Sequence, residues 1–552
     1  MKTYSIVERL QFPNPLFIRE DFALLNGAWA FKMEQKGAYD RVIQVPFTYE
    51  TTLSGIGDQS VREYISYERE IEIKEHNGRI LLHFEAVDYE AIVYINDIEV
   101  KRHVGGYTAF AADITDNVKT GTNVVRVDVF DSMDKQQLRG KQRARTESYE
   151  CWYVQNTGIW KNVWLEYTGS TYLVSSYFAG DAEGNVNYEL RLSDDCDVEI
   201  SIEGKTIHAA SDKGVVSGTF VWDKPVLWDI DSPQLYEIEI LVQGSVCDRV
   251  RTYMAFRSVS VDQDRILVNG NEIYLKMILH QGYYENSSVT PPSADILEKD
   301  VRLIKSCGFN GIRMHQKIET YAFYYLCDAL GVYVWGEIPS AYEFGERMMT
   351  EFRRDALQIV EQLKGFPSII TYVVFNESWG ICGVRERKDV QAYTEKMLEE
   401  FRKADATRLI NINDGWHQLP GDMLSLHDYE QNADVFYEEY QNKDYVVAEK
   451  IINGFGKAYS EGYCYEGQPV LISEFGGIAA KCDDGWGYGE KASNKEEAMN
   501  RIRNLMEAVK KLPYLSGYCY TQYTDVEQET NGLFTIDRTP KFPLDFIRSV
   551  NE

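Results

Sequence analysis

The sequence predicts a multidomain protein: two β-sandwiches followed by a (β/α)8 barrel. The chain has 552 residues, which is too long for one hydrophobic core, so about three or four domains are expected. Residues 1–257 contain short strand-like runs separated by turn residues, as in sandwiches. After Ser258, strand-like runs alternate with helical runs, which is typical of βα units around a parallel sheet.

The two β-rich segments are distinguished by where their strand-like runs fall. Residues 1–168 include the runs 79–100 and 123–131, and Asn96–Asp97 within the first run reads as a hairpin tip. Residues 169–258 contain four further strand-length runs at sandwich spacing. Since neither segment shows a helical period, we predict domains at 1–168 and 169–258, with the barrel at 259–552.

The barrel prediction depends on eight buried strand candidates with helices between them. The strand candidates are Ile273–Leu279, Asn310–Met314, Val332–Trp335, Ile369–Phe375, Arg408–Ile412, Met423–Leu426, Val470–Ser473 and Tyr514–Tyr520. The helix candidates are 293–307, 319–330, 346–363, 390–403 and 495–512. Ser293 is a candidate N-cap and Gly308 a candidate C-terminal stop of the first of these helices.

Composition and charge exclude several classes of partner. The formal net charge of −28 disfavours nucleic acid and anionic membrane surfaces, and makes a polyanionic substrate less favourable. The nine cysteines include no CxxC pair, and no HExxH spacing occurs, so we expect free thiols, no metal and no cofactor. The N-terminal residues have no apolar signal region and no long apolar run follows, which predicts a cytoplasmic protein. Homo-oligomerisation is left open.

Two apolar runs each end in a glutamate. The stretch Ile369–Gly380 ends its apolar run in Asn376–Glu377, and Pro469–Gly477 delivers Glu474 in the same way. Because active sites of (β/α)8 barrels lie at the C-terminal ends of the strands, these carboxylates are expected to face one pocket. A glutamate that only forms a salt bridge at a strand end is the structural alternative for either residue alone. Two such glutamates favour a glycosidase.

Other polar and aromatic residues follow the predicted strands and form the expected substrate-binding set. They are His280, Arg313, His315, Asn376, Trp379, Trp416, Tyr429 and Trp486. Retaining glycoside hydrolysis needs one ionised carboxylate as nucleophile and a second carboxyl group that holds a proton. Arg313 and Tyr429 are our candidates for stabilising the ionised group, and Asn376 for binding the sugar 2-OH. The histidines and tryptophans could instead be structural.

The chain resembles glycoside hydrolase family 2, the β-galactosidase, β-glucuronidase and β-mannosidase group, over essentially its full length. The resemblance is carried by an ordered set of motifs: LNGAWAFK (25–32), HFEAVDYEAIVYINDIEV (83–100), TGIWKNVWLE (157–166), LWDIDSPQLYEIEI (227–240), FNESWG (375–380), ISEFGG (472–477) and YTQYTDVEQETNGLF (520–534). It implies a sugar-binding jelly-roll sandwich, an immunoglobulin-like sandwich and a catalytic barrel. It also implies that Glu377 is the acid/base and Glu474 the nucleophile.

Departures from the family pattern bear on the sugar. The Asn-x-Lys with which glucuronidases bind the sugar carboxylate is absent from residues 530–533. Trp152 stands where many members have an acidic residue, and Tyr520 flanks Thr521, which replaces the usual strand-eight tryptophan. We therefore predict an exo-β-glycosidase for neutral, galactose-like sugars. The alternatives are a β-galactofuranosidase or arabinosidase, and a non-catalytic carbohydrate-binding protein. The Tyr-rich segment 429–468 is either a substrate-covering loop or helix six with a long connection.

Overall fold

The N-terminal unit is a β-sandwich, as predicted. The computed structural model describes residues 3–552. After a short helix, α1 (Ile6–Arg9), the strands are Phe22–Leu24 (β1), Gly27–Lys32 (β2), Arg41–Val45 (β3), Tyr64–Ile73 (β4), Ile80–Phe84 (β5), Val87–Asp88 (β6), Glu90–Ile95 (β7), Ile98–Val104 (β8), Phe110–Asp113 (β9), Gly121–Phe130 (β10), Gly158–Ile159 (β11) and Val163–Tyr167 (β12). A four-stranded sheet, β1-β12-β5-β9, faces a six-stranded sheet, β3-β2-β4-β10-β7-β8. The apolar residues between the two sheets form one core.

A second, smaller β unit follows. Its strands are Leu173–Gly180 (β13), Asn185–Leu192 (β14), Asp197–Ile202 (β15), Lys205–Ala210 (β16), Val215–Val221 (β17), Tyr236–Val242 (β18) and Asp248–Met254 (β19). They form the sheets β13-β14-β17 and β16-β15-β18-β19 around a separate core. A three-stranded sheet then leads to the barrel through Val259–Asp262 (β20), Arg265–Val268 (β21) and Asn271–Glu272 (β22). The predicted domain boundaries lie between β12 and β13 and between β19 and β20.

The C-terminal unit is an eight-stranded parallel barrel, which confirms the predicted fold class. Its elements, in chain order, are Leu275–His280 (β23), Ala294–Ser306 (α2), Gly311–Met314 (β24), Tyr321–Leu330 (α3), Tyr333–Glu337 (β25), Glu346–Leu363 (α4), Ile369–Asn376 (β26), Lys388–Ala404 (α5), Leu409–Asp414 (β27), Leu424–His427 (β28), Ala433–Tyr440 (α6), Lys443–Ala448 (α7), Val470–Gly476 (β29), Lys495–Lys510 (α8), Leu515–Thr521 (β30) and Leu544–Asn551 (α9). Neighbouring strands pair in parallel from β27 through β23 to β28. A parallel bridge between Gly415 and Leu426 closes the ring.

The barrel strands could be predicted from the sequence because strands that are buried on both faces have continuous apolar runs. All eight predicted barrel strands are present, and several extend one to three residues into the polar stretch that follows. Asn96 and Asp97 connect β7 to β8 with φ of +48° and +65°, which confirms the predicted hairpin tip. Ser293 occupies the N-cap position of α2, but its side chain makes no capping hydrogen bond. Gly308 follows α2 with φ of +87°.

A loop of the N-terminal sandwich reaches the C-terminal end of the barrel. Between β10 and β11, the backbone amides of Arg139 and Gly140 donate to the carbonyl of Ser340, each at 3.0 Å. Further along, the amide of Val154 donates to the carboxylate of Glu527 on the barrel. This loop, residues 131–157, therefore forms part of the wall around the barrel mouth. Within residues 3–552, every helix is too short or too polar to cross a membrane.

Candidate active site

The two glutamates predicted from the sequence lie side by side at the barrel mouth. Glu474 lies within β29, and Glu377 follows β26 directly. One carboxylate oxygen of each lies within 4.8 Å of the other. Glu377 has φ of +50°, a backbone conformation that non-glycine residues rarely adopt and that is concentrated at functional sites. The Glu474 side chain is 6% exposed and that of Glu377 is 18% exposed.

Glu474 is held by a cation and a hydroxyl group. Arg313 Nη1 donates to Glu474 Oε1 at 2.8 Å, and the hydroxyl of Tyr429 donates to Oε2 at 2.5 Å. Burial would raise the pKa of Glu474, but the positive charges of His427 and Arg313 outweigh burial and hold the pKa well below its usual value. The carboxylate is therefore ionised at neutral pH, and both of its oxygens are oriented.

Arg313 joins four strands behind the pocket. Its guanidinium donates to Glu337 Oε2 and to Asn376 Oδ1, each at 2.8 Å, and lies 3.0 Å from Asp414 Oδ2. The side chain has no exposed surface. Arg313 therefore orients the nucleophile candidate and Asn376 from behind, and it has no surface left for a sugar. Asn376 itself is almost fully buried beside Glu377.

His427 lies between the two glutamates. Its Nδ1 is 2.9 Å from Glu377 Oε1 and 3.5 Å from Glu474 Oε2, while Nε2 is 3.3 Å from Asp414 Oδ1. Burial would lower the pKa of His427, but the charges of Glu474 and Asp414 raise it to about 10. At neutral pH the ring is an imidazolium whose Nδ1 faces the side chains of Glu377 and Glu474 and whose Nε2 faces Asp414.

Aromatic residues from two domains line one side of the pocket. The ring centroids of Trp152 and Trp379 are 5.6 Å apart, and Trp379 lies 6.3 Å from the ring of His315. His315 Nδ1 is 3.1 Å from Glu337. The ammonium of Lys141, from the sandwich loop, lies 5.2 Å from the ring centroid of Trp379.

The opposite side is formed by the connection after β29. The ring of Tyr488 stacks on that of Tyr429 with centroids 3.3 Å apart, and Trp486 lies 5.3 Å from Tyr488. The indole N–H of Trp486 donates to the carbonyl of Glu150 at 2.9 Å. Trp486 therefore connects this segment to the sandwich loop.

The structure places three of the predicted residues elsewhere. His280 points away from the pocket, toward Asp300 of α2 at 3.5 Å, and has no exposed surface. Tyr520 packs edge-on against Phe475 outside the barrel interior. Side chains alternate along a strand, so the pocket receives the neighbours Gln281 and Thr521 instead. Trp416 stacks on Phe455 at 4.3 Å and touches the site only through its edge-on contact with His427.

The Tyr-rich segment 429–468 consists of α6, α7 and a connection that packs on the barrel. The hydroxyl of Tyr440 donates to Asp428, and those of Tyr459 and Tyr465 donate to Gln468. These contacts are internal to the barrel and support the structural interpretation.

Sequence reasoning did not select several residues that shape the site. His427 and Asp414 each follow a strand candidate, so their position was a signal, but the pattern could not say which side chain points inward. Glu337 follows the third barrel strand in the same way. Lys141 and Tyr488 lie in loops that give no sequence signal for a position in the pocket.

A (β/α)8 barrel with two adjacent carboxylates at the ends of its fourth and seventh strands is an arrangement of retaining glycoside hydrolases. Comparison with known proteins agrees with this class. Three family models match the chain: glycosyl hydrolases family 2, sugar binding domain, over residues 26–168; glycosyl hydrolases family 2 over residues 172–257; and glycosyl hydrolases family 2, TIM barrel domain, over residues 259–552. The chain therefore belongs to glycoside hydrolase family 2.

Individual relatives are distant and bear several names. A putative β-glucuronidase of Formosa agariphila is 25% identical over 74% of this chain and 50% of its own length. A β-galactosidase of Thermoanaerobacter pseudethanolicus is 24% identical over 76% of this chain and 56% of its own length. The chain thus spans only about half the length of these curated relatives. A β-galacturonidase structure from Eisenbergiella tayi, bound to galacturonate, has 21% identity and a TM-score of 0.76, over 96% of this chain and 97% of that one.

Proposed function

We propose that this protein is a retaining exo-β-glycosidase that acts by double displacement. The observation that carries the proposal is the separation of the two carboxylates, which have oxygens within 4.8 Å of each other. Retaining enzymes place these groups about 5–5.5 Å apart, whereas inverting enzymes need about 6.5–9.5 Å to admit a water molecule. The short separation favours direct attack on the sugar by one of the carboxylates rather than by a water molecule.

Glu474 is the proposed nucleophile. Its carboxylate attacks the anomeric carbon, the bond from that carbon to the leaving oxygen breaks, and a glycosyl ester with Glu474 forms. His427 and Arg313 keep Glu474 ionised, and the hydrogen bonds from Arg313 and Tyr429 orient its two oxygens. In the second step water attacks the anomeric carbon, and the bond from that carbon to the Glu474 oxygen breaks, which restores the free carboxylate and releases the sugar with its β configuration.

Glu377 is the proposed acid/base. Its Oε1 is engaged by His427, so Oε2 is the oxygen that gives a proton to the leaving group and later takes one from water. Among residues 3–552, no donor other than His427 is within hydrogen-bond distance of this carboxyl group. Asn376, held by Arg313 at 2.8 Å, is placed beside Glu377 for a contact with the sugar 2-OH.

The walls of the pocket support exo action. The sandwich loop closes one side through Trp152, and Trp486 is hydrogen-bonded across to that loop. A site enclosed on these sides suits a terminal sugar better than the middle of a chain. The rings of Trp152 and Trp379 offer apolar faces on which a sugar can stack.

For the sugar, the sequence favours a galactose-like ring, and the relatives are named for β-galactosidase and β-glucuronidase activities. The argument for a neutral sugar depended on the missing lysine at 530–533. Lys141 supplies a cation from another domain, so an acidic group on the sugar becomes a second candidate. A β-galactofuranosidase or an arabinosidase would use the same two carboxylates, so these functions remain alternatives.

The test is a panel of aryl glycosides assayed with the wild type and Glu474→Gln. The panel contains β-galactopyranoside, β-glucuronide, β-galacturonide, β-mannoside, β-galactofuranoside and both arabinoside ring forms. We expect turnover of at least one member, with retention of configuration by NMR, and a loss of about 10⁴-fold or more in the variant. Glu466→Gln, an exposed substitution nearby, is the matched control. Full activity in Glu474→Gln, or an inverted product, would refute the mechanism.

A further inference from the structure

Lys141 reaches the barrel pocket from a different domain, on a rigid support. Tyr153 donates its backbone N–H to the carbonyl of Lys141 at 2.9 Å. The preceding Gly140 has φ of +58° and packs against the barrel so closely that a Cβ would lie 2.3 Å from the carbonyl oxygen of Gln316. The position of Lys141 is therefore fixed by both domains.

The ammonium of Lys141 lacks the partners that other buried lysines have. Lys161, Lys317, Lys450 and Lys541 each donate to at least one backbone or carboxylate oxygen. Lys141 is also buried, with 7% of its surface exposed. Within the described chain, no oxygen acceptor lies within hydrogen-bond distance of its Nζ, which lies 5.2 Å from the ring centroid of Trp379.

The charge on Lys141 is retained in spite of burial. Burial would lower its pKa, but the nearby Cys151 thiol and the carboxylates of Glu529 and Glu474 raise the pKa above its usual value. Glu529 does not pair with it directly, because Glu529 accepts hydrogen bonds from Tyr153 and Asn531. An ammonium with no oxygen acceptor from the protein can bind a ligand that brings one.

We propose that Lys141 determines specificity by binding an anionic substituent, a carboxylate or a sulfate ester, on the terminal sugar. This inference rests on the proposed glycosidase function. Residues 530–533 contain no cationic side chain, and Asn531 donates there to Glu529 at 3.0 Å. The sandwich loop supplies a positive charge instead. The Lys141 ammonium lies 5.2 Å from the ring of Trp379, which is two residues along the chain from Glu377.

The experiment compares acidic and neutral sugars on variants of the full chain. Aryl β-galacturonide, β-glucuronide and β-galactoside 6-sulfate are compared with the neutral β-galactoside. The enzymes are the wild type, Lys141→Gln, Lys141→Arg and the control Lys135→Gln, which alters an exposed lysine of the same loop. The measured quantity is the ratio of kcat/KM for each acidic substrate to that for the neutral one.

We expect the wild type to favour one acidic substrate and Lys141→Gln to reduce that ratio about 100-fold, as for other buried charge pairs. Lys141→Arg should keep a ratio closer to that of the wild type than Lys141→Gln does, and Lys135→Gln should have the wild-type ratio. The substrate preferred by the wild type distinguishes carboxylate from sulfate. An unchanged ratio in Lys141→Gln, or hydrolysis of neutral sugars alone, would overturn the inference and leave the glycosidase proposal intact.

If the wild type hydrolyses none of the glycosides, that result would instead count against the proposed function. Binding then tests Lys141 separately, with thermal shifts of the wild type and Lys141→Gln in galacturonate, glucuronate, galactose 6-sulfate and galactose. A shift that needs both an acidic sugar and Lys141 supports the site. Equal shifts in the two proteins, or none with the acidic sugars, would overturn it.

Discussion

At the scale of single residues, the proposed acid role of Glu377 makes a prediction about leaving groups. Glu377→Ala removes the proton donor, so substrates with poor leaving groups should lose about 10³-fold in kcat/KM. Activated aryl glycosides, whose leaving group needs little protonation, should lose about 10-fold or less in the same constant. A series of aryl glycosides of graded leaving-group pKa measures this difference. Glu386→Ala, at an exposed position, is the control. Equal losses across the series would exclude Glu377 as the acid.

The raised pKa of His427 predicts that the free energy of unfolding depends on pH. Its pKa is about 10 in the folded protein and about 6.5 in an unfolded chain, so protonation favours folding. The stabilisation is complete below about pH 6.5 and is lost as the pH rises toward 10. The melting temperature of the wild type should therefore exceed that of His427→Gln most near pH 6, and the difference should shrink toward pH 10.

The matched control for that experiment is His208→Gln, because His208 is 70% exposed on its side chain. Its melting temperature should follow the wild type across the same pH range. A difference between the wild type and His427→Gln that grows with pH would mean that the ring is neutral in the folded protein. The imidazolium between the two glutamates would then be excluded.

The same residues show what sequence can predict about a site. Glu377 and Glu474 could be found because each ends an apolar run that is buried on both faces. His280 and Tyr520 also follow such runs, but they point outward. Inward or outward orientation depends on the register of the last few strand residues, and no alternation of polarity reveals that register in a strand covered on both sides.

At the scale of elements, strands and helices of the barrel were predictable because their patterns are local. The helix predicted at 346–363 has those bounds, and its apolar residues lie on one buried face. The connection 429–468 was ambiguous, because tyrosine suits both packing and sugar binding. The burial of Phe436, Tyr440 and Tyr459 in the core of the barrel identifies it as packed structure.

The loops at the barrel mouth were the least predictable elements. Lys141 lies far from Trp379 in sequence and contacts its ring because the sandwich packs on the barrel. Such a contact depends on the relative placement of two domains, which no local propensity or periodicity encodes. The sequence could show that residues 530–533 carry no lysine, but it could not show that Lys141 lies beside Trp379.

At the scale of the whole molecule, the sandwich and the barrel form one site. Lys141, Trp152 and Tyr153 come from the first domain, while both catalytic candidates come from the last. The interface between them is closely fitted at Gly140. Its amide bonds the carbonyl of Ser340, and Tyr342 donates to its carbonyl at 2.8 Å. We therefore expect small changes in how the sandwich packs on the barrel to lower kcat/KM.

Gly140→Ala tests whether this docking positions the site. The new Cβ would lie 2.3 Å from the backbone oxygen of Gln316, so the loop must move away from the barrel and take Lys141 with it. Since a displacement of about 1 Å can cost about 10²-fold in rate, we expect kcat/KM to fall at least about 10-fold. Gly121→Ala is the matched control, because Gly121 has φ of +94° and no atom within 4 Å of a Cβ. It carries a similar backbone strain without the collision, so it should lower the melting temperature and leave kcat/KM unchanged. Equal activity of the two variants would show that the sandwich only flanks the barrel, and that the pocket is formed without precise docking.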